Sequence, residues 1–390
     1  MTSSRANRPV RVLLLLDTRA WAGTESHVLT LARALNALNP VQGAPIVEVS
    51  LAVPPLSPLW KRAGAEGFSL VPIARRGAWD GATLGVLVRR LRRGATDIIH
   101  VHNGRCALWG ALAVSLARRG ACVATHHFIE PAHATQSGLK GRASGAVHGE
   151  IERRIAGHIA ISRAVADALE ARGELRSSQI SIVPNGISLS PSQNSEAPSH
   201  GKDSPPELGA EVVCVARLQK EKDVPTLVRA MSRLNANRPS PVRCVVAGEG
   251  QERAAIEEVI AQEAGCNVVL AGFTPHAALL LRASRVAVLP SVAEPFGLAL
   301  LEAMAQKKPV VAVNCGGPAE IVVEGETGLL VPPGDPDAMG HALGILLDDP
   351  TRAAAMGEAG YARLLAFYGA DRMAERTLNV YQSALNVGEA

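Results

Sequence analysis

Glu294 and Glu302 are separated by seven residues in the run Glu-Pro-Phe-Gly-Leu-Ala-Leu-Leu-Glu. An apolar run, Val286 to Pro290, precedes the first and reads as a buried strand; the second falls within Gly297 to Gln306, which reads as a helix. Strand, loop and helix in that order make the place where α/β proteins bind ligands. At about 100° per residue Glu302 shares a stripe with Leu298, Leu301 and Ala305, and it is the only ionisable group of that helix. Burying it unpaired would cost roughly several kcal/mol, so either a basic side chain or the hydroxyl groups of a ligand must meet it.

The loops that follow strands carry the other suitable groups. After Val212–Val215 comes Ala-Arg-Leu-Gln-Lys-Glu-Lys-Asp, which puts Arg217 and Lys222 in one loop. Two cations so placed suit a diphosphate: each charge-assisted bond is worth about 1.5–3 kcal/mol, and the pair can offset leaving-group charge without a metal. Because Lys220 and Lys222 flank Glu221, a solvated charge run is the other reading. The helix opening at Phe296-Gly297-Leu298 offers free N–H groups to an anion, and Gly297 would let a phosphate approach the backbone closely. Glu294 would repel phosphate and better suits neutral hydroxyl groups such as a sugar presents. Gly248-Glu249-Gly250 is a further glycine turn, but neither G-x-G-x-x-G nor a Walker lysine motif occurs.

In the first half, one strand ends in Thr125-His126-His127 and another runs into His102-Asn103-Gly104. These histidines read either as hydrogen-bonding groups for a substrate or as satisfied structural residues. No carboxylate or cysteine sits at zincin or deaminase spacing from them, so no metal is expected. The turn Trp21-Ala22-Gly23-Thr24-Glu25 joins the first strand to the first helix and could bring N–H groups around Gly23 to a phosphate or an acceptor.

Elements must hold these groups in place. Strand-like runs at Arg11–Leu16, Val47–Ala52, Asp97–Val101, Cys122–Thr125, Gly157–Ile161 and Ile180–Val183 alternate with helical patterns. After Ser188–Glu207, a Ser- and Pro-rich stretch that reads as a linker, the alternation resumes at Val212–Val215, Val242–Ala247, Val268–Ala271, Val286–Leu289, Pro309–Val313 and Gly328–Val331. Such alternation means βαβ units and parallel sheets, hence two Rossmann-like domains, 1–187 and 208–370, facing each other across a cleft. The last helix, in 371–390, is expected to pack back onto the first domain.

Composition narrows the function classes. Hydrophobic residues are 47% and aromatics 3%, which leaves few stacking platforms for bases and argues against a nucleic-acid binder. The six cysteines are scattered and fit a reducing, cytoplasmic setting. No apolar run is long enough to span a bilayer. Residues 1–200 carry 23 Lys and Arg against 13 Asp and Glu, a net +10, which leaves −6 for the rest. Thr83 to Arg93 sets Leu84, Leu87, Val88 and Leu91 on one side of a helix bearing four arginines. That helix is either core-facing or a surface for anionic lipid or an anionic acceptor, the latter giving peripheral association with a membrane's inner face.

Taken together, Glu294 to Glu302 resembles the E-x7-E motif of the retaining GT-B glycosyltransferases of sequence family 4. The likeness extends to the Arg217–Lys222 loop, Val-Pro-Asn-Gly-Ile at 183–187, Ala-Gly-Glu-Gly at 247–250, Gly-Gly-Pro-Ala-Glu at 316–320 and Gly-Leu-Leu-Val-Pro-Pro-Gly-Asp at 328–335. It is strong over the second half and looser over the first. The resemblance implies a nucleotide-diphosphate-sugar donor, with Arg217 and Lys222 on the diphosphate assisted by backbone at Gly297 and Leu298. It further implies Glu294 on the donor-sugar hydroxyls, Glu302 on the ribose and His127 near the reacting carbon, with no cofactor and no metal. Many relatives have two glycines in the first strand–helix turn, whereas Ala22 precedes Gly23 here. The acceptor is a hydroxyl group of unread identity. A sugar phosphorylase of the same fold and a non-catalytic relative are the alternatives; an NAD-dependent oxidoreductase lacks its glycine fingerprint here.

Overall fold

The computed structural model describes residues 8–18, 21–39, 46–74, 80–129, 149–189, 209–236 and 238–387. Contacts group the chain into two compact units, Met1–Ser188 with Ala370–Ala390, and Leu189–Gly369. Most of the Ser- and Pro-rich stretch lies outside the described residues.

The first unit is built on β1 (Val10–Leu15), β2 (Val47–Val53), β3 (Ser69–Pro72), β4 (Ile98–Val101), β5 (Ala121–His126), β6 (Gly157–Ala160) and β7 (Ile180–Ile182). They lie in the order β3-β2-β1-β4-β5-β6-β7, with every neighbouring pair parallel. Parallel strands are covered on both faces, which is why β1 is an unbroken apolar run rather than an alternating one. Val12, Leu14, Ile98 and Val123 pack towards the helices Gly23–Ala37 and Ala370–Val387. Leu13, Leu15, Ile99 and Val101 pack on the opposite face, among residues of the helices Gly81–Arg92 and Gly104–Ala117. Asp80, Asn103 and Ser162 each accept a backbone N–H at a helix start, caps worth about 1 kcal/mol apiece.

The second unit repeats the scheme with β8 (Val212–Val215), β9 (Cys244–Ala247), β10 (Val268–Gly272), β11 (Val286–Leu289), β12 (Val310–Val313) and β13 (Gly328–Val331). Their order is β10-β9-β8-β11-β12-β13, again all parallel.

One strand escapes the sequence pattern. β3 has four residues, occupies the sheet edge and ends in Pro72, which cannot donate to a further ladder bond. So short a strand with a single deeply buried side chain, Val71, leaves almost no periodic signal.

The arginine-bearing helix Gly81–Arg92 spends its apolar stripe inside the protein: Leu87 and Leu91 are fully buried, and Leu84 and Val88 pack against the same cluster. Only its arginine side remains for solvent, so any attraction to lipid would be purely electrostatic. No described helix is long and apolar enough to cross a membrane. All six cysteines are free thiols, five of them buried, and burial pushes the Cys214 thiol up to about 12, as expected of small core residues.

Candidate functional site

In the second unit the strand order reverses between β8 and β11, and ligands bind beyond the carboxyl ends of strands at such reversals. The loops after those two strands meet there, with Val292 N–H donating to the Glu221 carbonyl at 3.0 Å. After β8 the chain makes a single 3-10 turn, Lys220–Lys222, closed by Asp223 in the left-handed region at φ 42°. That turn carries Lys222 to Glu294: Nζ lies 2.5 Å from Oε2, with side chains only 13% and 11% exposed. Arg217 stands on the solvent side of the same loop, half exposed, with its guanidinium 3.7 Å from Glu221.

The Glu294 loop is held from the β12 side. Gly317 N–H donates to the Glu294 carbonyl at 2.9 Å, and Cys315 Sγ–H donates to the Ser291 carbonyl at 3.0 Å. Gly297 then turns the chain at φ 109°, a conformation that side-chain-bearing residues rarely adopt, and serves as the cap of the helix Leu298–Ala305. The helix thus begins one residue later than its sequence pattern suggests. Among the described residues no side chain caps its first amides, which leaves the helix start open to an anion.

Glu302 sits one turn further along, half-buried. Among the described residues no basic side chain meets it, and burial pushes its carboxyl up to about 7. The glycine turn 248–250 has a different purpose: a side chain at Gly248 would put Cβ 1.9 Å from the Ala216 carbonyl oxygen, so the neighbouring loop requires the glycine.

In the first unit the order reverses between β1 and β4. Side chains alternate along strands, so His100 and His102 share one face of β4, and Thr125 and His127 share the same face at the end of β5. His102 Nδ1 lies 3.3 Å from His127 Nε2. The ring of His27, from the helix Gly23–Ala37, packs edge-on at 4.9 Å from His127 and 5.4 Å from His102. His100 lies in the same layer, with Nδ1 2.7 Å from Tyr381 Oη and Nε2 2.7 Å from Thr125 Oγ1.

Burial drives all four imidazoles towards neutrality, His27 to about 4, His100 to about 3 and His102 and His127 well below the usual range. They act as hydrogen-bonding groups rather than cations. Among the described residues, the Asn185 side chain approaches the His27 ring, and Nε2 of His102 is buried without a hydrogen-bond partner. Such an atom in a folded protein calls for a ligand or water. Gly23 opens the helix as an exposed residue one turn before His27, and the buried Glu25 carboxylate accepts the Ala22 N–H at 2.7 Å. The loops after β1 and β4 are tied by Arg105 to Asp17 at 2.5 Å and by Asn103 Nδ2–H to the Asp17 carbonyl at 3.2 Å.

The sequence matches the family described as Glycosyl transferases group 1 over residues 197–363 and Glycosyltransferase Family 4 over residues 21–191. It is 30% identical over 324 residues to the glycogen synthase of Mycobacterium tuberculosis, covering 79% of this chain and 76% of that protein. The chain belongs to the group 1 glycosyl transferases. The alpha-maltose-1-phosphate synthase of Mycolicibacterium smegmatis is 31% identical over 309 residues, covering 74% of this chain and 79% of that one. Among solved structures, Alr3699/HepE of Anabaena in complex with UDP superimposes with a TM-score of 0.78 at 20% identity, covering 96% of this chain and all of that one. The two-sheet architecture of this glycosyltransferase is the GT-B fold.

Sequence reasoning brought Lys222, Glu294, Gly297, Leu298 and Glu302 to one end of one sheet, and the structure puts them there. It missed that Lys222 and Glu294 pair with each other. It also missed His27, Asn185 and Tyr381 around His127. The spacing of Gly23 and His27, one helical turn, was the available signal for His27; Tyr381 lies 281 residues from His100 and gives none.

Proposed function

We propose that this glycosyltransferase moves a sugar from a nucleotide-diphosphate donor to a hydroxyl acceptor with retention of configuration and without a metal. The buried Lys222–Glu294 pair carries the reading. It sets a cation for phosphate beside a carboxylate for sugar hydroxyl groups, beyond the carboxyl ends of β8 and β11, next to a helix whose first amides are uncapped.

In this reading Lys222 and Arg217 take the diphosphate with the amides at Gly297 and Leu298, and Glu302 accepts the ribose hydroxyl groups. His127, a neutral imidazole, hydrogen-bonds the sugar near C1, and the backbone at Gly23 approaches the acceptor or a phosphate. The bond from C1 to the diphosphate oxygen breaks, with its electron pair leaving on that oxygen. The acceptor oxygen bonds to C1 from the same face and its proton passes to the departing phosphate. Retention rests on the resemblance to family 4, and the charge offset by Lys222 and Arg217 is what removes the need for a metal.

Alr3699/HepE has been solved with UDP and with UDP-glucose, which makes a uridine diphosphate sugar the first donor to try. Calorimetric titration with UDP tests the anion site. Replacing both Arg217 and Lys222 by Ala should weaken UDP by on the order of 100-fold, the discount from two full charge-assisted bonds reflecting the exposure of Arg217. Equal affinity in the double variant would remove both residues from the diphosphate.

A further inference from the structure

On the face of the first sheet opposite His100 and Thr125, three side chains converge that the transfer reaction does not use. His126 ends β5, His158 stands on the neighbouring β6 and Glu152 comes from the helical residues 149–152. His126 Nε2 lies 3.3 Å from His158 Nδ1, His158 Nδ1 lies 3.2 Å from Glu152 Oε2, and His126 Nε2 lies 4.0 Å from Glu152 Oε2. We propose that these residues form a binding site for a divalent transition-metal ion, zinc being the representative, held by two imidazole nitrogens and one carboxylate oxygen.

Geometry supports the assignment. Ligand atoms about 2.0–2.1 Å from a tetrahedral zinc ion lie about 3.4 Å apart, close to two of the three edges. The long edge involves His126, the least buried of the three. All three ligand atoms lie close enough for one cation to reach them together.

Charge favours this trio over the other cluster of ligand-type side chains, His27, His102 and His127. The three imidazoles bring no charge to offset an ion, whereas Glu152 is itself an anionic ligand. Access exists as well: His126 and Glu152 line a cavity also walled by Phe128, Leu169 and Arg172. The ion would fasten the end of β5 and the start of β6 to residues 149–152, in a cavity also lined by His102 and His127.

The test uses the full chain freed of metal by a chelator and titrated with zinc against a chromophoric competitor. One zinc per chain is expected, with a rise in melting temperature, and cobalt should give the visible absorption of a low-coordinate site. Glu152→Gln and the less disruptive His126→Asn should each weaken zinc by more than about 100-fold, while His27→Gln leaves it unchanged. Circular dichroism of the metal-free variants separates lost ligation from lost folding. Absence of stoichiometric zinc in the unaltered chain, or its loss in His27→Gln with retention in His126→Asn, would overturn the proposal.

Discussion

The two units place their polar groups by opposite means. In the second, charged side chains ride on loops and are neutralised in pairs, Lys222 by Glu294 and Arg217 by Glu221. In the first, uncharged imidazoles line strand ends inside the fold, and burial rather than a counter-ion keeps them neutral. A loop can carry ions because solvent and partner are near; at a strand end beneath two helices a group must shed its charge or, like Asp17 with Arg105, be paired.

The strongest way to break this contrast is to remove the acid of the pair. Glu294→Ala should lower kcat/KM by on the order of 1,000-fold, with UDP affinity retained or improved because Lys222 is released to the phosphate. Steady-state kinetics with calorimetry checks both halves; unchanged turnover would take Glu294 out of the site, and lost UDP binding would mean that the carboxylate only positions the lysine.

A change of pH should move the two units in opposite directions. The buried histidines have folded values below the ordinary 6.5, so their contribution to the first unit is whole above that pH and drains away as pH falls towards 4 and 3. Glu302 runs the other way: its folded value of about 7 exceeds the ordinary 4.5, so its penalty is absent below about pH 4.5 and grows until about pH 7. Hydrogen exchange between about pH 7.5 and pH 5, corrected for intrinsic rates, should show the first unit loosening and the second tightening. Parallel behaviour of the units would refute the contrast. Glu302→Gln should abolish the second unit's slope and stabilise it at neutral pH by at most roughly 3 kcal/mol.

The smallest effect concerns surface charge, +10 over residues 1–200 and −6 over the rest. With the apolar stripe of Gly81–Arg92 buried, binding to anionic vesicles would rest on arginines such as Arg89 and Arg93 alone, and should vanish as salt rises from about 20 to about 300 mM. Sedimentation with phosphatidylserine vesicles checks this; salt-resistant binding would require an apolar contact elsewhere.

What the sequence made legible follows from range. Strands such as β1 and β11 announce themselves as local apolar runs, and Glu294, Glu302, Arg217 and Lys222 lie at fixed offsets from them. β3 stayed hidden because an edge strand with one deeply buried side chain has no pattern to read. The histidine layer was half visible: His100 with His102, and Thr125 with His127, are two residues apart and must share a face. Its neighbours His27, Asn185 and Tyr381 come from three distant segments, and only the sheet order brings them together. Likewise Lys222 and Glu294 are 72 residues apart, and their pairing follows from β8 lying beside β11.

The helix Ala370–Val387 places Met373, Ala374, Tyr381 and Ala384 in the same core as Val12 and Leu14. During translation, then, the first unit cannot finish its interior until the helix Ala370–Val387 has been made, by which point the second unit already has all its strands. Maturation of the histidine layer would wait for that helix, and a chain cut before Ala370 would cripple the unit whose strands were made first.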